Sequence, residues 1–100
     1  MIIVLGSVAV RPDAIDEAWR LSQAHVARSR GEPGCIAHAV HRDAEQALRL
    51  VFVEQWADRA ALAAHFRVPG SRAFVAALRA LASEPPRIEV YEASPLPSPP

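Results

Sequence analysis

Apolar and polar positions along the chain mark out four strands and two helical regions. Ile2 to Val10 is rich in Ile and Val without a helical stripe, so it reads as a strand buried on both faces. Gly6 and Ser7 interrupt it, a sign of close approach by another backbone or a ligand. After Arg11-Pro12-Asp13, with Asp13 as the expected N-cap and Asp16 and Glu17 near the positive end of the dipole, a helix begins. Its apolar side is Ile15, Ala18, Trp19, Ser22 and Val26. Gly31-Glu32-Pro33-Gly34 stops it. Cys35 to His41 follows as a second strand, 42–47 as a polar hairpin loop, and Leu48 to Trp56 as a third strand. Asp58 caps a helix running through His65, which Pro69-Gly70-Ser71 breaks. A further helical piece spans Ser71 to Leu81, with Phe74, Val75, Leu78 and Leu81 on its apolar side. Arg87 to Ala93 is the last strand, and 94–100 is a proline-rich tail.

The resulting order, β-α-β-β-α-β, predicts an α+β, ferredoxin-like sandwich: a four-stranded antiparallel sheet with helices on one face. Residues 1–93 form this domain and 94–100 the tail. Both faces of the strands are largely apolar, whereas a solvated sheet face should carry polar groups at alternate positions. A second subunit covering that face, giving a homodimer, is the simplest answer.

Alternation along the third strand sets Leu48, Leu50, Phe52, Glu54 and Trp56 on one face, so a carboxylate and an indole stand side by side. Hairpin register decides which histidine joins them. With Val40 opposite Leu50, His38 faces Phe52 and Ile36 faces Glu54; a one-residue slip instead puts His41 and Cys35 on the Trp56 face. The first register is preferred because it groups the larger apolar side chains. A helix starting at Asp58 brings His65 back toward the same end of the sheet.

Composition narrows the possible chemistry. Eleven basic residues balance eleven acidic ones among 100 residues without blocks of either sign, leaving no electrostatic footprint for nucleic acid. Although 51% of residues are hydrophobic, no run approaches the roughly 20 needed for a membrane span. The apolar start lacks the basic region of a secretory leader, so the expected location is cytoplasmic. A single cysteine, Cys35, rules out an internal disulfide and reads as a small core residue. His38 and His41 lie an odd step apart on opposite strand faces, and no His-x-x-x-His or acidic cluster replaces them. A metal site is therefore weak, and with no Gly-x-Gly-x-x-Gly or phosphate loop to suggest a nucleotide, no cofactor is expected.

Two stretches resemble a known family: Glu32-Pro33-Gly34-Cys35 entering a strand, and Phe52-Val53-Glu54-Gln55-Trp56 leading through Asp58 and Leu62 to His65-Phe66. They look like the antibiotic biosynthesis monooxygenase family, small dimeric α/β-barrel proteins that include quinol monooxygenases. The resemblance covers nearly the whole chain apart from the tail. It implies a homodimer with facing sheets, a pocket between sheet and helices, and oxidation of a small aromatic by molecular oxygen without metal or flavin. On that reading His65 is the candidate base, near neutral pH the natural choice. Trp56, Glu54, His38 and Phe52 are the candidate substrate-binding wall. Each also has a structural reading: Trp56 as core, Glu54 as a hydrogen-bond anchor, and His65 as a helix residue bonded to a carbonyl or to Glu54. A heme-degrading branch of the superfamily uses an axial histidine and a first-strand asparagine; Val75 stands near the former position and the first strand has no asparagine, which disfavours heme. The competing readings are a non-catalytic dimeric ligand-binding or stress-associated module and, more weakly, an interaction domain docking through its proline tail.

Overall fold

The computed structural model describes residues 1–99. Four strands, β1 (Ile2–Ala9), β2 (Cys35–Arg42), β3 (Arg49–Trp56) and β4 (Arg87–Glu92), form one antiparallel sheet in the order β2-β3-β1-β4. Three helices, α1 (Ile15–Ser29), α2 (Arg59–Arg67) and α3 (Pro69–Leu81), complete the ferredoxin-like α+β fold. The helices cover one sheet face. Ile2, Val4 and Val8 of β1 are buried there, while Leu5 on the other face is 43% exposed. A strand buried on both faces is therefore not what a single chain achieves, because nothing within it covers the second face.

Local chemistry explains the element boundaries. Asp58 caps α2 by accepting a 2.8 Å bond from the Ala61 N–H. Asp13 does not cap α1; it lies within a short 3-10 turn, Pro12–Ala14, that leads into the helix. The helix breaks next to Pro69 as expected, but the second piece starts at Pro69 itself, two residues before the expected Ser71. Val68 adopts an extended ψ of 126° at the corner, and Pro69 takes the first helical position, where a missing N–H costs nothing. Gly34 has φ of 80°, and a Cβ there would lie 2.5 Å from the Ala61 Cβ. Only glycine lets the entry to β2 pass this close to α2.

Register is where the sequence reading needs correcting. His38 pairs with Glu54 and Val40 with Phe52, two residues from the expected pairing. The hairpin turn is the physical reason: Asp43 N–H donates to Arg49 O and Arg42 pairs with Leu50, so the loop closes two residues further along β3 than expected. A bulge between Cys35 and Ala37 then places Cys35 opposite Trp56 and leaves Ile36, at the bulge, 55% exposed. His38 keeps its place on the Glu54 face, and Cys35 joins that face across an odd step.

Buried side chains form two apolar clusters. One gathers Val8, Val10, Ala18, Leu50, Phe52 and Leu78; the other gathers Ile2, Val4, Trp56 and Leu62. Glu54, between Phe52 and Trp56 on β3, sits at the seam. There the fold buries an unusual set of polar groups: His25, His38, Glu54, His65 and Ser71.

Candidate functional site

Groups from α1, β2, β3, α2 and α3 and from the turn before β2 meet at the seam. His25 projects from the third turn of α1, on the stripe that also carries Ala18, Ser22 and Ser29. His38 comes from β2, Glu54 and Trp56 from β3, and His65 from the last turn of α2. Glu32 lies in the turn before β2, and Ser71 in the first turn of α3. The ring centroids of His25, His38 and His65 lie 5.3 to 5.6 Å apart.

Hydrogen bonds fix most of these groups. His65 Nδ1 lies 2.9 Å from Glu32 Oε1, so as the donor in that bond it leaves the Nε2 lone pair free. Nε2 stands 4.0 Å from Glu54 Oε1. Trp56 Nε1 donates to the same Glu54 oxygen at 2.9 Å. His38 Nε2 is 3.3 Å from it, close but not aligned as a hydrogen bond. Arg28 Nη2 donates to His25 Nδ1 at 2.7 Å and reaches Ser71 Oγ at 3.3 Å. The His25 ring stacks on Phe74, centroids 4.0 Å apart and nearly parallel.

Burial dominates the electrostatics. It lowers the His25 pKa to about 3, aided by repulsion from His38, His65 and Arg28, so this imidazole is neutral at pH 7. Burial also pushes the Glu54 carboxyl up, but the neighbouring His38, the Trp56 N–H and His65 outweigh it and hold the group below its usual range. The seam thus holds an ionised carboxylate against three imidazoles. Burial, together with Glu32 and Glu54, raises the Cys35 thiol.

A cavity of about 380 Å³ opens beside this cluster. Gly6, Phe52, Phe66, Phe74, Leu78 and Ile88 supply apolar lining, with His25, Glu54, His65 and Ser71 at the buried end. Arg72, Arg79 and Arg87, all solvent-exposed, ring its outer part. Among the sequence candidates, Phe52, Glu54 and His65 line the cavity. Trp56 and His38 do not; both are buried behind Glu54, where the indole packs with Ile2, Val4 and Leu62. Sequence reasoning missed His25, Glu32 and Arg28. His25 could have been found, since it lies seven residues after Ala18 on the buried stripe; Glu32 appeared only as part of a motif.

An antiparallel sheet with one helical layer, with an apolar pocket that ends on buried polar groups, defines an α+β domain of ferredoxin-like architecture. Residues 1–77 match the sequence model of the antibiotic biosynthesis monooxygenase family, and the chain belongs to that family. It is similar to an uncharacterized protein of Synechocystis sp., sll1783, with 37% identity over 91 residues. That match takes in 91% of this chain and 62% of the Synechocystis protein, so the chain spans less than two thirds of its curated relative. The crystal structure of an antibiotic biosynthesis monooxygenase superposes with a TM-score of 0.88 at 29% identity, covering 95% of this chain and 100% of the other. Rv0793 from Mycobacterium tuberculosis superposes with a TM-score of 0.89 at 26% identity, covering 97% and 98%.

Proposed function

We propose that this protein is a monooxygenase that oxidises a small aromatic, a quinol or polyketide phenol, with molecular oxygen. The observation that carries this reading is the orientation of His65. Glu32 holds its Nδ1 side, so the Nε2 lone pair is free at the buried end of an apolar cavity, and the ionised Glu54 4.0 Å away favours the imidazolium that forms on taking a proton. Loss of the phenolic proton gives an electron-rich anion able to pass electrons to oxygen. For a hydroquinone the balance closes without an external reductant: one oxygen atom enters the ring, the other leaves as water, and the quinol supplies the electrons. Phe52 and Phe74 suit an aromatic ring, and the three outer arginines favour an anionic substrate.

Oxygen-electrode measurements across a panel of hydroquinones test the reading. Substrate-dependent uptake is expected, and His65→Ala should slow it by about 10²- to 10⁴-fold, the usual worth of a positioned base. Absence of uptake over the whole panel would refute it. A second reading, a non-catalytic ligand-binding module, draws support from the fact that Glu32 and Trp56 already satisfy His65 and Glu54. It predicts ligand-induced stabilisation without turnover. In either case the working form is a homodimer joined through the open sheet face.

A further inference from the structure

We propose that His25, His38 and His65, closed by Glu54, form a binding site for one divalent first-row transition-metal ion per chain. One nitrogen from each imidazole lies within 4.8 Å of the other two, and all three residues are buried. They come from α1, β2 and α2, so the tripod is a product of the tertiary fold. Metal–nitrogen bonds of about 2.0–2.1 Å need nitrogens about 3.4 Å apart in tetrahedral geometry, so each ring would move inward on the order of 0.7 Å. Glu54 Oε1, 3.3 Å from His38 Nε2 and 4.0 Å from His65 Nε2, supplies an oxygen beside the same point. Three imidazoles and a carboxylate suit ions such as Zn²⁺, Co²⁺ or Fe²⁺, and not Ca²⁺ or Mg²⁺, which demand oxygen shells.

Two independent observations point to a ligand. The His38 side chain is fully buried, yet neither ring nitrogen has a hydrogen-bond partner among the described residues. Coordination would satisfy it. His65, for its part, has a carboxylate on Nδ1 and a free Nε2, the arrangement that orients metal-binding histidines.

Arg28 controls loading. A guanidinium only donates, so His25 Nδ1 must be the acceptor of the 2.7 Å bond and the proton resides on Nε2. Binding through Nδ1 displaces Arg28 directly; binding through Nε2 requires its proton to move to Nδ1, which Arg28 blocks. Either way the ion enters only as the guanidinium withdraws. Arg28 is a solvent-exposed residue whose head rests on Gly70, where a Cβ would approach to 2.8 Å.

The inference goes beyond the oxidation reading, since an ion would occupy the Nε2 there assigned to proton transfer; metal-free and metal-loaded forms are alternative states of one site. The test uses the chelator-stripped full chain without substrate, so metal binding and oxygen uptake fail or succeed separately. Titration with Co²⁺ should give visible d–d bands of inner-sphere nitrogen coordination, saturating at one ion per chain. His38→Gln and His25→Gln should each weaken binding by roughly 100-fold. Arg28→Met should tighten it, a gain that a merely structural network would not give. Circular dichroism establishes that each variant is folded, and His41→Gln, on the opposite strand face, controls for surface binding. No inner-sphere spectrum at millimolar Co²⁺, or a spectrum undiminished in folded His38→Gln, overturns the proposal.

Discussion

His25 shows what one buried imidazole does to the stability of its fold. Its folded pKa of about 3 lies below the ordinary 6.5, so below pH 6.5 the unfolded chain binds a proton that the native chain refuses. Stability then rises with pH. This contribution is complete above about pH 6.5 and is lost as pH falls toward about 3. The depressed Glu54 carboxyl acts in the same direction but only below its ordinary 4.5, so the interval from 6.5 to 4.5 isolates the imidazole from it. Urea midpoints of the metal-stripped protein should fall with acidification across that interval. In His25→Phe, whose ring can keep the stack on Phe74, the fall should be shallower. An unchanged slope in the folded variant would show that His25 is not the group responsible. At this scale the sequence was most informative where a simple periodicity applied. Alternation alone put Glu54 beside Trp56, and helix length put His65 near them. The partner of His65 was not legible, because Glu32 reaches it from a turn whose path depends on Gly34.

Elements are joined here by close approaches that a one-dimensional pattern only partly records. The order of strands and helices followed from periodicity and turn residues, since each strand is bounded by Gly, Pro or a polar run. Register did not follow, because where the 43–48 turn closes, with Asp43 N–H on Arg49 O, and where the strand bulges at Cys35/Ala37 are both settled by backbone hydrogen bonds that leave no mark in hydrophobicity. Likewise Pro69 marks the break between α2 and α3, but the pattern does not show that it also takes the first position of α3. Gly34 is the most constrained joint: it combines a left-handed φ of 80° with a 2.5 Å approach to the Ala61 Cβ. Gly34→Ala should therefore cost about 2–4 kcal/mol, from left-handed strain and overpacking together. Chemical denaturation would measure it. Adding Ala61→Gly removes the clash but not the strain, so it should recover only part of the loss; full recovery would mean that the backbone strain is negligible.

At the scale of the whole molecule, the helices leave one sheet face uncovered. Strand pairing places Ile3, Leu5, Ala39, Val51, Val53 and Tyr91 on that face, with Leu5 opposite Val53 on one side and Glu89 on the other. Leu5 is 43% and Tyr91 45% exposed, and Ser7, Gln55 and Glu89 flank the apolar residues on the same face; an exposed apolar stripe with a polar rim is a mark of an interaction surface. A second copy offers the same apolar stripe, and an isologous contact would bury it on both sides at once. A stable dimer of this kind needs about 1,200–2,000 Å² of total burial, which facing sheets can supply. Light scattering at micromolar concentration should therefore give twice the chain mass. Leu5→Glu, which sets a carboxylate at the centre of the stripe beside Glu89, should shift the population to monomer without unfolding it, because the residue touches no core cluster. The pocket lies on the opposite, helical side of the sheet, so the monomeric variant should keep any metal or aromatic-ligand binding that the seam provides. A wild-type chain that stays monomeric would mean that this face is stable in water, and the case for facing sheets would fall.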